Sequence, residues 1–188
     1  MKKILLLIDC QYDFLDGGKL GVDGSIEIMN RLINYLNEHY KEYDGFYFTV
    51  DWHMPTHCSF KENGGIWPPH CIQYSNGAAI YQPLLDFMEQ HKIDYTVLTK
   101  GLNEDHEEYS VFKNAISSTY LKAVCKAEKV EQVDFVGIAL NYCVRDSSID
   151  SKKVFTDSKI RVLKDFCPSI GDGSDAIKEM ENNGIEVV

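Results

Sequence analysis

Three reactive side chains follow apolar segments of the sequence. Asp9 and Lys100 each come directly after a β-branched apolar run, and Cys143 lies shortly after another. A cysteine in the first turn of a helix feels the positive end of the helix dipole, which lowers the thiol pKa and favours the nucleophilic thiolate. Asp9 could accept the thiol proton, and Lys100 could keep that carboxylate ionised. Asn141 has the side chain of a helix N-cap.

Each of these residues also has a structural explanation when it is taken singly. Cysteine is among the most frequently buried residue types, and Cys10, Cys125 and Cys167 fit inert thiols of the core. An Asp at a strand end commonly caps a turn, and Lys100 before Gly101 fits a solvated loop. Three such residues at one edge of one sheet, however, favour catalysis over the structural explanations.

A second group combines a carboxylate with imidazoles. Three of the six histidines, His53, His57 and His70, follow Asp51 in a segment rich in Pro and Gly. Positions two apart in an extended segment share a face, so Asp51 and His53 can bind one ion together. Imidazole nitrogens with one carboxylate suit Zn²⁺, Fe²⁺ or Mn²⁺ better than Ca²⁺ or Mg²⁺. The segment therefore predicts a catalytic or substrate-binding metal site.

Two other interpretations of this segment stay open. The pairs His57-Cys58 and His70-Cys71 carry the ligand types of a closed structural zinc site, although their spacing matches no zinc-finger pattern. Alternatively, the histidines cap turns of a Pro-rich loop. The segment 51–79 has neither helical nor strand period, and loops of that length are usually functional.

The elements that must position these residues alternate along the chain. Apolar runs predict strands at 3–8, 45–50, 94–99, 132–139, 160–164 and 185–188. Helical patterns lie between them, at 25–42, 83–90, 112–127, 143–151 and 174–182. The apolar face expected for helix 112–127 consists of Ile116, Tyr120, Ala123 and Val124. Continuous apolar strands separated by helices predict a mostly parallel sheet covered on both faces, with ligands at its carboxyl edge.

Length and composition predict one soluble domain over residues 1–188 with one active centre, since 188 residues with 44% hydrophobic content can bury a full core. The formal charge of −10 repels phosphate groups and argues against nucleic acid as a partner. The apolar run after Lys3 is too short for a signal peptide, and no run is long enough to span a membrane. We therefore expect a cytoplasmic protein with free thiols and no membrane partner. The glycines at 17–21 lack the spacing of a nucleotide-binding loop.

Four blocks carry a resemblance to a known family. The first is Asp9-Cys10-Gln11-Tyr12-Asp13-Phe14 with Gly17-Gly18 and Leu20. The second, and most specific, runs from Asp51-Trp52-His53 through His57 and Gly64-Gly65 to Trp67-Pro68-Pro69-His70-Cys71. The others are Lys100-Gly101 with Tyr109-Ser110 and Phe112, and Gly137-Ile138-Ala139 leading to Tyr142-Cys143-Val144. Together they resemble the pyrazinamidase/nicotinamidase family of isochorismatase-like cysteine hydrolases over nearly the whole chain.

The resemblance implies a three-layer α/β/α fold with a six-stranded sheet in the order 3-2-1-4-5-6. It also implies a metal-dependent nicotinamidase, which hydrolyses nicotinamide to nicotinate and ammonia through a cysteine thioester, as in NAD salvage, and which can accept pyrazinamide. The implied catalytic triad is Asp9, Lys100 and Cys143. The implied ligands of one divalent metal, zinc first and iron or manganese as alternatives, are Asp51, His53 and His70, with His57 used by only some members.

Further site residues follow from the resemblance. The backbone N–H groups of Ala139 and Cys143 would form the oxyanion hole, with a cis peptide bond before Ala139. Phe14 and Trp67 would flank the substrate ring, with Tyr109 as a third wall. Members often carry Thr-Asp where this chain has Leu-Asn at 140–141, a difference that bears on substrate preference and not on the reaction class. A homo-oligomer is compatible with the resemblance.

Two other functional classes remain open at this point. A sister hydrolase could share the triad and act on another amide or on isochorismate, but such sisters generally lack the Asp51, His53 and His70 set. A non-enzymatic metal-binding domain would keep Cys143 as a core thiol. That domain predicts a thiol unreactive towards iodoacetamide at neutral pH, because a buried thiol without activation has little thiolate.

Overall fold

Six strands form one parallel sheet at the centre of the protein. The computed structural model describes residues 2–188. Its strands are β1 (Lys2–Ile8), β2 (Gly45–Asp51), β3 (Tyr95–Lys100), β4 (Val130–Gly137), β5 (Lys159–Val162) and β6 (Glu186–Val187). The order β3-β2-β1-β4-β5-β6, with every pair parallel, confirms the predicted topology.

Five α-helices cover the two faces of this sheet: α1 (Ser25–His39), α2 (Gln82–His91), α3 (Ala115–Glu128), α4 (Arg145–Ser151) and α5 (Ser174–Asn182). One core cluster joins α1 and α2 to Leu5 and Leu7 of β1. A second cluster joins α3 and α5 to Leu6 and Ile8 of the same strand. The protein therefore has the expected three layers. Among residues 2–188, none of the helices combines the length and the apolar character that crossing a membrane requires.

The central strand β1 explains why its end carries a buried functional group. Its residues are apolar on both sides because each side faces a helical layer, and Leu5 to Ile8 are fully buried. Each such side chain contributes about 1.5 to 3 kcal/mol when it leaves water. β1 lies between β2 and β4, so the residue after Ile8 lies in the middle of the carboxyl edge.

Helix α3 packs Val124 of the predicted face against the core but leaves Ile116 and Tyr120 exposed. Ile116 is 76% exposed and Tyr120 is 43% exposed, whereas Ser117 and Leu121 are buried. The Ser117 hydroxyl donates a hydrogen bond to the backbone carbonyl of Thr99 on β3 (2.8 Å). For Ile116 and Tyr120 the prediction was wrong because a small polar side chain with a backbone partner lets the helix approach the sheet as well as an apolar one does.

Candidate active site

The carboxyl edge of the sheet brings Asp9, Lys100 and Cys143 together. Lys100 Nζ lies 2.8 Å from Asp9 Oδ2 and 3.4 Å from Cys143 Sγ. Asp9 and Lys100 are fully buried, and Cys143 is 5% exposed. The other carboxylate oxygen of Asp9 accepts a hydrogen bond from the Thr49 hydroxyl (2.7 Å), a partner that the sequence did not reveal. The three predicted residues thus share one dry cluster.

The nucleophile candidate lies in a π-helical turn, Leu140–Val144, and α4 begins only after it. The predicted helix 143–151 is present, but it starts earlier, at Leu140, as this π turn, and Asn141 is not its N-cap. The Asn141 side chain instead donates to the Ile170 carbonyl (2.9 Å) and accepts from the Ile170 N–H (3.1 Å). It therefore fastens the turn to the loop after β5. π turns occur frequently at functional sites.

The segment before this turn has the features of an anion site. The peptide bond between Ile138 and Ala139 is cis, as the resemblance implies. Ala139 is a buried residue, and its N–H donates to no acceptor among residues 2–188. A buried donor without a partner is unfavourable, so this N–H is available to a developing oxyanion.

Burial and the charge of Lys100 act in opposite directions on the pKa of the Cys143 thiol. Burial raises the pKa of this thiol well above its ordinary value, Lys100 opposes that effect, and the carboxylates of Asp9 and Asp51 reinforce it. The expected lowering of the thiol pKa was therefore wrong, because burial beside two carboxylates outweighs a helix terminus. Burial also raises the pKa of Asp9 against the charge of Lys100. Asp9 is consequently a stronger base than an ordinary carboxylate.

Asp51, His53 and His70 form a second buried cluster next to the first. One donor atom from each lies within 4.8 Å of the other two. The Nε2 atoms of His53 and His70 lie 3.5 and 4.0 Å from Asp51 Oδ2. The three residues come from the end of β2 and from the loop that follows it. The structure thus brings together the predicted metal-ligand residues, which we call the metal group.

Backbone carbonyls fix the tautomers of both histidines. His53 Nδ1 donates to the Gly101 carbonyl (3.0 Å), and His70 Nδ1 donates to the Pro68 carbonyl (2.8 Å). Since a carbonyl only accepts, Nδ1 carries the proton of the neutral ring and Nε2 keeps the lone pair. The Nε2 atom of His53 is buried without a hydrogen-bond partner. Two aimed imidazole lone pairs and one carboxylate therefore fit a divalent metal ion.

His57 lies beside this group and outside it. Its ring centroid is 4.1 Å from that of His53, but its nitrogens are not among the clustered donors. His57 Nδ1 accepts the backbone N–H of Ser59 (3.2 Å), which places the proton of the neutral ring on Nε2. Burial and the neighbouring His53 lower the pKa of His57 to about 4. Neither Cys58 nor Cys71 belongs to the donor group within residues 2–188, which leaves the closed zinc site without support.

One ammonium joins the two clusters. Lys100 Nζ lies 2.5 Å from Asp51 Oδ1 as well as near the triad. Burial would raise the pKa of Asp51, but the charge of Lys100 and the neighbouring His53 hold it well below its ordinary value. The donor atoms of Asp9, Asp51 and Cys143 also lie within 4.8 Å of one another. The cation in contact with all three is Lys100 itself.

Aromatic side chains lie next to members of the two clusters. Trp67 Nε1 donates to the Tyr109 hydroxyl (2.9 Å). The ring of Tyr142, which the sequence did not single out, lies 5.1 Å from that of Trp67 and 5.5 Å from that of Tyr109. Phe14 lies on the metal side, 5.4 Å from the ring of His70. Trp67, Tyr109 and Tyr142 thus form one aromatic group next to Cys143, while Phe14 lies next to His70. The position of Tyr142 directly before Cys143 was the available signal for this additional aromatic residue.

Comparison with known proteins gives this arrangement a family. The isochorismatase domain matches residues 3–188. The nicotinamidase of Escherichia coli is 29% identical over 97% of this chain and 92% of its own length. The pyrazinamidase of Pyrococcus horikoshii, solved in complex with zinc, has a TM-score of 0.84 at 28% identity and covers 100% and 99% of the two chains. PnC1 from L. infantum, solved in complex with nicotinate, has a TM-score of 0.83 at 27% identity over 100% and 92%. On this evidence the chain belongs to the isochorismatase family.

Proposed function

We propose that this protein is a metal-dependent nicotinamidase that hydrolyses nicotinamide to nicotinate and ammonia through a thioester on Cys143. The observation that carries the proposal is the contact of one buried ammonium, Lys100, with Asp9, Asp51 and Cys143. A thiol, a base and a carboxylate of the metal-ligand set thus contact the same cation. The relatives' names, nicotinamidase and pyrazinamidase, support nicotinamide as substrate and pyrazinamide as a second one. We extend the proposal to a role in NAD salvage.

The substrate ring is held between Phe14 and Trp67. Asp51, His53 and His70 hold the divalent ion, zinc in the first place, with iron or manganese as alternatives. When bound, this ion supplies a Lewis-acid position for the lone pair of a pyridine nitrogen. A substrate held in a fixed orientation would react with the thiol as in an intramolecular reaction, which lowers the entropic cost of the attack.

Asp9 acts as the general base for the attacking thiol. As Sγ of Cys143 bonds to the amide carbon, the thiol proton passes to the Asp9 carboxylate, whose raised pKa suits this transfer. The N–H groups of Ala139 and Cys143 donate to the developing oxyanion, each worth about 3 kcal/mol. Lys100 stays protonated throughout and compensates the negative charge at this buried position.

The same carboxyl group completes the reaction. The carbon–nitrogen bond breaks, Asp9 returns the proton to the leaving nitrogen, and ammonia departs. Water then attacks the thioester carbonyl while Asp9 accepts a proton from that water. The carbon–sulfur bond breaks and the proton on Asp9 returns to Sγ of Cys143. The product leaves as nicotinic acid, which ionises to nicotinate while ammonia takes up the released proton in solution. Each cycle thus consumes one water and restores the neutral thiol.

The test is ammonia release from nicotinamide by the purified protein. We expect Cys143→Ala to abolish the release, and Cys58→Ala, which changes a thiol of the neighbouring loop outside both clusters, to keep it. Removal of the metal with a chelator should lower the rate, and added zinc should restore it. Full turnover by Cys143→Ala would contradict the proposal.

The remaining alternatives predict different outcomes in the same assay. A sister hydrolase would release no ammonia from nicotinamide but would show turnover of another amide that depends on Cys143. A non-enzymatic domain would turn over neither substrate. Alkylation by iodoacetamide does not separate these classes, because burial raises the pKa of Cys143 whether or not the thiol is catalytic.

A further inference from the structure

We propose that Gln11 and Asp13 are positioning residues that hold the metal-binding group in register with the triad, an inference that rests on the metal site of the proposed function. Neither residue belongs to the triad or to the clustered metal-ligand residues. Each holds the backbone of a segment that carries a metal ligand. Both belong to the short segment that follows β1 and begins with Asp9.

Gln11 holds the backbone of Asp51. Its side chain is fully buried. Nε2 donates to the carbonyl of Asp51 (2.8 Å) and to that of Ala78 (2.8 Å), and Oε1 accepts the N–H of Asp51 (2.8 Å). A side-chain amide that pairs with both backbone groups of one residue fixes the position and the orientation of that residue. The hydrogen bonds from Gln11 therefore fix the backbone from which the Asp51 carboxylate projects.

Asp13 holds the backbone next to His70. Its Oδ2 accepts the N–H of Cys71 at 2.7 Å, and its Oδ1 lies 3.4 Å from the N–H of Lys19. Cys71 has a φ of +46°, in the left-handed region that a residue with a side chain rarely adopts. A hydrogen bond from the Cys71 N–H to a buried carboxylate stabilises this conformation. The bond thereby sets the direction in which the preceding His70 projects its ring.

A glycine opposite Asp13 provides independent evidence for this role. A Cβ on Gly77 would lie 2.2 Å from both carboxylate oxygens of Asp13, far inside van der Waals contact. The φ of Gly77 is not in the left-handed region. Glycine is therefore required here because a side chain would not fit, and not because of the backbone conformation. The loop therefore leaves room for the Asp13 carboxylate at the point where it bonds to Cys71.

These contacts place the triad and the metal group on one support. One short segment carries three polar residues at every second position. Asp9 belongs to the triad, Gln11 bonds to Asp51, and Asp13 bonds to Cys71, the neighbour of His70. A displacement of this segment would move the ligands relative to Lys100 and Cys143. We infer that its side chains set metal affinity without contributing a ligand, as residues that support ligands do elsewhere.

The experiment measures zinc affinity directly, by competition with a chromophoric chelator. We expect Asp13→Ala, Gln11→Leu and Gly77→Ala each to weaken zinc binding by about 10- to 100-fold. Asp13→Asn should retain most of the affinity, because its amide oxygen can still accept from Cys71. The matched control is Asp16→Ala. Asp16 accepts backbone N–H groups at the start of α1, so its loss should lower Tm and leave zinc affinity unchanged.

The outcomes separate this inference from the proposed function. Unchanged zinc affinity in Asp13→Ala and Gly77→Ala would overturn the inference alone, and so would an equal loss in Asp16→Ala, which would show general destabilisation. A chain that binds zinc, loses affinity in these variants and releases no ammonia from nicotinamide would support the inference and overturn the proposed function. A wild-type chain that binds none of zinc, iron and manganese would overturn both.

Discussion

Lys100 Nζ lies 2.5 Å from Asp51 Oδ1, so the cation of the triad also neutralises a carboxylate of the metal group. The two residues are direct neighbours across the β2–β3 pair. The same ammonium contacts Asp9 at 2.8 Å. Burial would lower the pKa of Lys100, but the carboxylates of Asp51 and Asp9 raise it well above its ordinary value. The two clusters are therefore one electrostatic unit, and a change at Lys100 affects both.

Replacement of this lysine should destabilise the metal-free, chelator-treated protein and stop turnover. Lys100→Met leaves Asp9 and Asp51 buried without a counter-charge, which costs about 3 to 5 kcal/mol of unfolding free energy at neutral pH. The depressed pKa of Asp51 contributes stability above its ordinary value of 3.8 that is lost as the pH falls through the folded pKa. The difference between wild type and variant should thus shrink below about pH 4. Urea unfolding at several pH values measures it.

The control for this variant is Lys61→Met, which removes an exposed lysine of the loop. It should change the unfolding free energy by less than about 0.5 kcal/mol. Wild-type stability of Lys100→Met at neutral pH would show that the two carboxylates do not depend on the ammonium.

Asp9→Asn should stabilise the protein while it abolishes ammonia release. Burial raises the folded pKa of Asp9 above its ordinary value of 3.8. A raised carboxyl pKa means that stability is full below the unfolded pKa and is lost as the pH rises through the folded pKa. Asn cannot ionise and can still accept the Thr49 hydroxyl. Its unfolding free energy should exceed that of wild type at pH 7.5 and match it near pH 3.5. A variant less stable than wild type at both pH values would contradict the raised pKa.

The sheet order and the meeting of Asp9, Lys100 and Cys143 at one edge agree with the sequence-based expectations. Apolar strands separated by helices leave few topologies, and all carboxyl ends of a parallel sheet lie together. The π turn before α4 was not predictable from periodicity, because it depends on backbone bonds and not on side-chain spacing. The role of Asn141 was missed because its hydrogen-bond partner, Ile170, is remote in sequence.

The electrostatics of the site were the least predictable feature. A helix terminus near Cys143 is visible in the sequence, whereas full burial and the proximity of Asp51 to the thiol exist only in the folded chain. The hydrogen bonds of Gln11 are similarly invisible, because they join residues 40 and 67 positions apart. Residue type and spacing therefore identified the participants, and long-range packing decided their protonation.

The alkylation of Cys143 should report its raised pKa. Thiolate is the reacting species, and burial with two nearby carboxylates holds the pKa of this thiol above its ordinary value. The rate of modification by iodoacetamide should therefore keep rising with pH through about 8.5, the ordinary thiol pKa. Mass spectrometry of the Cys143 peptide measures this rate, and Cys143→Ser verifies the site. A plateau near neutral pH would show a thiolate in the free protein.

The hydrogen bond between Trp67 and Tyr109 should affect substrate binding more than chemistry. Tyr109→Phe removes the acceptor of the indole N–H, a neutral bond worth about 1 kcal/mol. We expect KM for nicotinamide to rise about fivefold with little change in kcat. Burial raises the pKa of Tyr109 to about 12, so this effect should be the same from pH 6 to 9. Tyr74→Phe, at a residue that is 89% exposed, is the control. A fall in kcat alone would show that Tyr109 acts on the reacting atoms.

His70 and His57 should differ in their effect on metal content. His70 Nε2 belongs to the donor group, whereas His57 lies outside it and accepts the Ser59 N–H through Nδ1. After zinc loading and gel filtration, His70→Ala should lose the ion and His57→Ala should keep one equivalent per chain, since only the first removes a lone pair aimed at the site. Elemental analysis measures the content, and circular dichroism verifies that both variants are folded. Equal loss of zinc from the two variants would show that the His57 ring turns to bind the metal, and that the bound protein uses four ligands where the free one aligns three.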